Sequence, residues 1–181
     1  MTLIDKDIRA LIQMGVLRNA DETRVGSVAY DLRSAYYART DGTRADVLPS
    51  GESVFVACEE RIDLPGDLIG RVALRNGSIR AGLTLDAPVY QPGHKTRVFF
   101  RITNMSSKPV RLEKGAGLAS IMFERLERAP AQRGIRQGAS SVDGPRTGFG
   151  RRPVGRGFAV SAHRLPRRAP DLPHYPDARG G

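Results

Sequence analysis

The sequence predicts an all-β fold, either a barrel or a jelly-roll-like sandwich. Short apolar segments of strand length recur at intervals of roughly ten residues from residue 47 to residue 126, with Gly, Pro, Asn and Ser turns between them. The longest segments, such as Ser53–Cys58 and Arg97–Thr103, are rich in β-branched and aromatic residues. The chain has 181 residues and is 40% apolar, which is enough for one core, and no apolar run has the length of a membrane span.

A short amphipathic helix is predicted to precede the strands, over Thr2–Met14. Its apolar face is formed by three residues at helical spacing: Ile8, Leu11 and Ile12. Thr2 and Asp5 match a capping box with Asp in place of the usual Glu, and Gly15 is a natural stop. The helix is therefore expected to pack one face against the β-core.

The predicted strands follow this helix in chain order. They are Val25–Arg33, Ser34–Tyr37, Ser53–Cys58, Gly70–Leu74, Arg97–Thr103, Val110–Leu112 and Leu118–Phe123. Asp31 interrupts the first of them, and it is either a buried carboxylate that bonds backbone or a residue near the site.

Two loops between the strands concentrate the groups that can bind a ligand. Arg75–Leu83 holds two arginines, an amide and two glycines, and guanidinium and open backbone N–H groups are suited to phosphate oxygens. Tyr90–Thr96 is a Pro-Gly turn with His94, which can stack on a sugar or base or do acid–base work. Surface arginines around a β-turn and a solvent-facing histidine are the alternative interpretation. The loops together predict a pocket for a phosphorylated small molecule.

The net charge of +10 is concentrated in the C-terminal third of the chain. Residues 128–181 contain eleven arginines and three aspartates, which leaves residues 1–127 nearly neutral. Nucleic acid is therefore not an expected partner, except nonspecifically through the basic tail. Past Pro130, Gly, Pro, Arg and Ser replace the apolar pattern, which predicts a flexible tail with a disordered part over 151–181.

The cysteine count and the N-terminus bear on the compartment. Cys58 is the single cysteine, so neither an intrachain disulfide nor a zinc site with paired cysteines can form, and we expect it to be a small core residue. Met1–Asp7 is charged and lacks the apolar region of a signal peptide. These features predict a cytoplasmic protein without membrane contact and without structural metal.

A series of short motifs runs along residues 2–127. They are Ile4–Arg9 with Leu11 and Ile12, Ala29–Arg33, Leu48–Glu52, Leu64–Val72, Arg75–Leu83, Pro92–Gly93, Asn104 and Gly115–Phe123. In this order they resemble the dCTP deaminase and trimeric dUTPase superfamily, and the N-terminal helix is closer to the deaminase branch. The resemblance implies a distorted jelly-roll, a homotrimer with active sites between subunits, and a nucleotide-binding domain over 1–127.

The resemblance assigns the first loop to the nucleotide triphosphate. The predicted phosphate-binding residues are Arg75, Asn76, Gly77, Ser78 and Arg80. The family usually has serines where this chain has Asn76 and Gly77, but an amide and a bare backbone also donate to phosphate.

The positions that carry the chemistry in the family differ in this chain. Gln91 stands where dUTPases have the aspartate that orients water, and Arg101 stands where dCTP deaminases have the general acid–base glutamate. Neither side chain can accept a proton. His94 is the candidate replacement, with Asp86 either orienting it or serving as the carboxylate, and Arg101 is a further candidate for ligand binding. The rebuilt loop is compatible with an altered reaction or with a silent site.

The resemblance extends weakly into the tail. Residues 128–150 are predicted as an active-site lid with Gln137, Arg146 and Phe149 over the nucleotide. The sequence thus predicts an enzyme acting on dCTP, dUTP or a related nucleotide by deamination or pyrophosphate release. It would use no zinc, and Mg²⁺ would bridge the phosphates. The alternative is a catalytically silent nucleotide-binding regulator or a structural trimer.

Overall fold

Ten strands, two α-helices and one 3₁₀ helix make up residues 1–131, the part of the chain that this computed structural model describes. The helices are α1 (Asp5–Gln13), the 3₁₀ helix (Glu22–Arg24) and α2 (Asn76–Arg80). The first strands are β1 (Leu17–Arg18), β2 (Tyr30–Asp31), β3 (Ser34–Ala38), β4 (Val47–Leu48) and β5 (Ser53–Asp63). The others are β6 (Leu68–Leu74), β7 (Leu83–Asp86), β8 (Lys95–Asn104), β9 (Val110–Arg111) and β10 (Ala119–Arg125).

The strands form antiparallel sheets, which confirms the predicted all-β fold. One sheet has five strands, in the order β1-β5-β8-β7 with β3 also paired to β5, and a second has the order β2-β10-β6. The pair β4-β9 forms a third, small sheet. Because side chains alternate along a strand, β8 buries Val98, Phe100 and Ile102 and turns the residues between them outward. Strand β10 alternates in the same way, with Ile121 and Phe123 fully buried.

Helix α1 packs its predicted apolar face on the core but begins later than expected. Ile8 and Leu11 are buried, whereas the Thr2–Asp5 capping box is wrong. Thr2 pairs with Glu124 beside β10, and the N–H of Ile4 donates to the Asp7 carboxylate at 3.1 Å.

The end of α1 is as predicted. Gly15 adopts φ +70°. Its N–H donates to the Ile12 carbonyl at 3.0 Å, and that of Val16 donates to the Leu11 carbonyl at 2.9 Å. This pair of bonds is a Schellman motif, which satisfies carbonyls at the end of the helix.

Two other predictions of local structure are wrong. The strand expected over Val25–Arg33 is reduced to β2, because Val25 pairs back onto Tyr30 and the segment between them turns, with the Gly26 N–H donating to the Ala29 carbonyl at 2.8 Å. The loop expected over Arg75–Leu83 contains α2.

The predicted division at residue 127 and the lid and tail assignments stay predictions, because residues 132–181 lie outside the described part. Within residues 1–131, no helix combines the length and the apolar character that crossing a membrane requires.

Candidate functional site

An open cleft of about 730 Å³ lies around the start of α2. It is lined by eight residues from three parts of the chain: Val28, Ala29, Leu74, Arg75, Asn76, Gly77, Ser78 and Gly117. The cleft therefore includes four of the residues predicted to bind phosphate, and it joins them to the segment before β2 and the segment before β10.

Helix α2 owes its position to contacts with the chain before β10. The Arg75 N–H donates to the Leu118 carbonyl at 3.0 Å, and the Ser78 hydroxyl donates to the same oxygen at 2.8 Å. Ser78 is buried and faces inward, so its hydroxyl does not project into the solvent-filled part of the cleft. Asn76 and Gly77 are exposed, and N–H groups in the first turn of a helix have no acceptor within the helix. The backbone of these two residues is thus the donor set that the cleft offers.

Gly82 ends α2 and allows it to pack tightly. This glycine adopts φ +80°, and a Cβ added to it would lie 2.8 Å from the Ser106 Cβ. Its carbonyl accepts a hydrogen bond from the Met105 N–H at 2.8 Å. No other residue type fits this position without strain.

Arg75 carries the main positive charge of the cleft. Its guanidinium lies 3.2 Å from an Asp31 carboxylate oxygen, and the other oxygen of Asp31 accepts from the Ser120 hydroxyl at 2.6 Å. Both charged side chains are partly exposed, so a ligand can compete for the guanidinium. Asp31 is thus a neighbour of the cleft. Arg80 is exposed and follows Asn76 at i+4, which puts the two on one face of α2.

His94 closes the turn in which it lies. Its Nδ1 accepts a hydrogen bond from the Gln91 N–H at 3.1 Å, and the Gln91 carbonyl accepts one from the His94 N–H at the same distance. The ring also meets Tyr90 edge-on, with centroids 6.1 Å apart. An imidazole that accepts at Nδ1 carries its proton at Nε2, so His94 presents a donor away from the turn.

Asp86 is paired with Arg101 rather than with His94. The two residues are opposite each other in the β7–β8 ladder, and Arg101 donates from Nη2 and Nε to one Asp86 oxygen at 2.6 and 3.1 Å. The register of two strands thus brings together a carboxylate and a guanidinium that are fifteen residues apart in sequence.

The predicted site residues consequently fall into two groups. Arg75, Asn76, Gly77 and Ser78 line the cleft. The predicted residues that are not among those lining it are Arg80, Asp86, Gln91, His94 and Arg101. The predicted lid residues lie outside the described part of the chain.

Two buried polar residues that support the cleft were not predicted as site residues. Glu60 is fully buried and accepts from the Tyr30 hydroxyl at 3.0 Å and from the Arg33 N–H and Nε at 3.0 and 2.8 Å. These bonds tie β5 to both flanks of Asp31. The predicted strand Ser53–Cys58 ended before Glu60, so the sequence contained no direct signal for this contact.

Asn104 holds the loop on which α2 rests. Its amide donates to the carbonyls of Leu48 and Lys108 at 3.0 and 2.8 Å, and its oxygen accepts from the N–H and the hydroxyl of Ser106 at 3.0 and 2.7 Å. All of its hydrogen-bonding capacity is used although the side chain is fully buried. Asn104 thereby fixes the Ser106 backbone that Gly82 packs against.

The described residues contain no cluster of three or more His, Cys, Asp or Glu side chains with the geometry of a metal site. Cys58 is buried in the core, and burial raises the pKa of its thiol, which makes it a small apolar side chain.

The fold class defined by these sheets is that of the dUTPase-like β-proteins. The chain superposes on a dCTP deaminase from Agrobacterium tumefaciens with a TM-score of 0.59 at 19% identity, over 67% of this chain and 46% of that one. It superposes on a dUTPase of the Staphylococcus aureus phage phi11 with a TM-score of 0.51 at 13% identity, over 67% and 92% of the two chains.

Sequence relatives identify the family. A family model described as dCTP deaminase-like matches residues 38–126. The chain is 30% identical to a dCTP deaminase of Pyrococcus furiosus, over 78% of this chain and 95% of that protein. It is 32% identical to a dCTP deaminase of Thermococcus kodakarensis, over 78% and 96%. The chain belongs to the dCTP deaminase/dUTPase superfamily, as the motifs predicted.

Proposed function

We propose that this protein is an enzyme acting on a pyrimidine deoxyribonucleoside triphosphate, with dCTP as the first candidate substrate and dUTP as the second. The observation that carries the proposal is the cleft at α2, where Arg75 and the exposed backbone of Asn76 and Gly77 converge. Guanidinium and backbone N–H groups are the donors that phosphate oxygens require. The two archaeal relatives bear the name dCTP deaminase, which supports dCTP over other nucleotides.

The reaction would add water to C4 of the cytosine and release the amino group as ammonia, which converts dCTP to dUTP. In this proposal the cleft holds the phosphates, and the group around His94 handles the base. His94 is the candidate proton carrier through Nε2, because Nδ1 accepts from Gln91. Asp86 is engaged by Arg101, so a role as base would require that ion pair to open. Pyrophosphate release from dUTP is the alternative reaction of the same site.

A homotrimer is part of this proposal, because the second group of site residues does not line the cleft at α2 within residues 1–131. The outward face of the five-stranded sheet supports self-association. Phe55 and Phe99 lie on that face with 40% and 38% of their surface exposed, beside the Asp86–Arg101 pair. Large aromatic side chains of this kind are enriched at interfaces between proteins.

In this proposal the nucleotide enters the cleft with Mg²⁺ already bound to its phosphates. The part of the chain described here has no carboxylate cluster of its own for the ion, and Mg²⁺ commonly binds through substrate phosphates with one or two carboxylates. When bound to the nucleotide, it would neutralise phosphate charge. Asp31, the ion-pair partner of Arg75, is the carboxylate beside the proposed phosphate site.

A cytoplasmic location is also part of the proposal.

The rival proposal is a nucleotide-binding regulator without turnover. It is favoured by Gln91 and Arg101, which we predict to stand at the positions of the two family carboxylates and which cannot accept a proton. A positioned general base contributes about 10²–10⁴-fold to a rate, so the loss of both carboxylates makes this the serious alternative.

Turnover separates the two proposals. The purified chain is incubated with each deoxynucleoside triphosphate and Mg²⁺, while ammonia and pyrophosphate are measured. The enzyme proposal expects ammonia from dCTP, a loss of activity in Arg75→Ala, and full activity in Arg111→Ala, which removes an exposed arginine of β9. Binding without either product would favour the regulator, and neither binding nor turnover would refute both.

A further inference from the structure

A second guanidinium lies beside Gly117, one of the residues that line the cleft, and it comes from a residue that neither the motifs nor the family model includes. The Arg24 Nη1 atom is 3.4 Å from the point that a Cβ on Gly117 would occupy, and the Arg75 Nη1 atom is 2.8 Å from the same point. The two guanidinium nitrogens are therefore no farther apart than the sum of these distances. Gly117 itself lines the cleft, so the Arg24 guanidinium lies next to a lining residue.

The Arg24 and Arg75 guanidinium groups beside Gly117 are not both neutralised by ion pairs within the described residues. Arg75 is partnered by Asp31 at 3.2 Å, whereas residues 1–131 provide no ion pair or side-chain hydrogen bond for the Arg24 guanidinium. The acidic residues near it in sequence make their hydrogen bonds elsewhere: Asp21 accepts from the Thr23 N–H and hydroxyl, and Glu22 accepts from Arg9. The bonds from Thr23 are the main cause of the lowered pKa of Asp21, and the charge of Arg24 is a minor one. Of the two neighbouring guanidinium groups, only that of Arg75 has an ion-pair partner within residues 1–131.

The backbone at Arg24 is held in place by the 3₁₀ helix, which fixes the point from which its side chain extends. Arg24 is half-buried and is the last residue of the 3₁₀ helix. The N-cap of this helix is Asp21, whose carboxylate accepts a hydrogen bond from the Thr23 hydroxyl at 2.6 Å. The Asp21 N–H also donates to the buried Tyr30 hydroxyl at 2.9 Å. The arginine is thereby tied to the same network that positions β2.

Gly117 has a steric role that matches this arrangement. A side chain at residue 117 would enter the space between the guanidinium groups, at 2.8 Å from one of them. The missing Cβ leaves that space open toward the cleft. Two like charges around an open space attract an anion, which reduces their repulsion and accepts hydrogen bonds from both.

We propose that Arg24 is a second phosphate-binding arginine of this cleft and that it grips a phosphate group of the nucleotide together with Arg75 over Gly117. This inference rests on the proposed nucleotide-binding function. It adds a residue outside the predicted phosphate loop and assigns Gly117 the role of keeping the gap between the two guanidinium groups open.

The test measures binding of dCTP, deoxycytidine and inorganic tripolyphosphate by calorimetry to the full chain. The variants are Arg24→Gln, Arg24→Lys and the matched control Arg111→Gln, with melting temperatures to verify folding. Loss of a charge-assisted contact is expected to weaken dCTP and tripolyphosphate binding about 10- to 100-fold in Arg24→Gln. We expect partial recovery in Arg24→Lys and no change in deoxycytidine binding or in the control.

The outcomes separate this inference from the proposed function. If dCTP binds equally well to wild type and to a folded Arg24→Gln variant, the role of Arg24 is refuted and the proposed function stands. If tripolyphosphate binds through Arg24 but no nucleotide does, the anion site stands and the nucleotide function is refuted. If neither binds, both are refuted. Gly117→Ala is a second variant, and it is expected to weaken tripolyphosphate binding in the same direction.

Discussion

Replacing Glu60 tests the network that holds the segment around Asp31. The carboxylate is 0% exposed and accepts three hydrogen bonds, one from the Tyr30 hydroxyl and two from Arg33. In Glu60→Ala the three donors lose their acceptor, and the Arg33 guanidinium keeps only its bond to the Asn19 carbonyl. Removal of one partner of a buried ion pair costs about 3–5 kcal/mol of unfolding free energy.

The lower end of that range applies here because Arg33 is partly exposed and can be rehydrated. We therefore expect Glu60→Ala to lose about 3 kcal/mol. Glu60→Gln keeps an oxygen acceptor of the same shape but no charge, so a smaller loss of about 1.5–3 kcal/mol is expected. In the double variant with Arg33→Ala, the effect of Glu60→Ala should shrink, because no guanidinium is left without its carboxylate partner.

Urea unfolding followed by circular dichroism measures these differences, at one protein concentration for all variants because assembly shifts apparent stability. The reasoning is refuted if Glu60→Ala loses less than about 1 kcal/mol, which is the net value of a single ordinary hydrogen bond. Equal losses for the Ala and Gln variants would also contradict it, because the oxygen acceptor that Gln keeps would then contribute nothing.

Three further predictions concern the cleft support and the core. Asn104→Ala should lose about 2–4 kcal/mol in urea unfolding, because it leaves the buried Leu48 carbonyl without its donor, and Asn104→Asp should be no better because a carboxylate cannot donate. Gly82→Ala should lose about 1–3 kcal/mol and weaken nucleotide binding, because φ is +80° and the new Cβ meets the Ser106 Cβ; an unchanged melting temperature would contradict this. Burial raises the pKa of Tyr30 from 10.0 to about 12, so the stability linked to its proton is complete below pH 10 and is lost as the pH rises through 12. The measurement is urea unfolding as a function of pH, and constant stability from pH 9 to pH 12 would contradict it.

The sequence predicted the sheets well because β-rich composition and turn residues are local signals. Strand β8 alternates buried and exposed residues along most of its length, whereas β5 has three consecutive buried residues at 56–58, so alternation alone would not have identified Ser53–Cys58. The start of α1 was predicted wrongly, because Thr2 pairs with Glu124 at the other end of the domain.

Helix α2 escaped prediction for a physical reason. Asn76 and Gly77 are poor helix formers, and five residues are too few to form a helix without support. Its first turn depends on bonds to the Leu118 carbonyl, which comes from a distant segment. The placement of Arg75 at the cleft was predictable from composition, whereas the shape of its surroundings was not.

The pairing of site residues required the strand register. Asp86 and Arg101 meet because β7 and β8 are aligned to place them opposite each other, and a shift by one residue would separate them. Arg24 was not singled out because it reaches Gly117 only through the tertiary fold. The sequence therefore did not predict which distant segments contact each other, either in the core or at the site.

A crystal structure of the full chain with a bound dCTP molecule tests the central claim most directly. The account predicts the triphosphate in the cleft at α2, with phosphate oxygens within hydrogen-bond distance of Arg75 and of the Asn76 and Gly77 N–H groups. It also predicts the cytosine near His94, contributed by a neighbouring subunit. A nucleotide bound elsewhere, with an empty cleft and the Arg75–Asp31 pair intact, would contradict it.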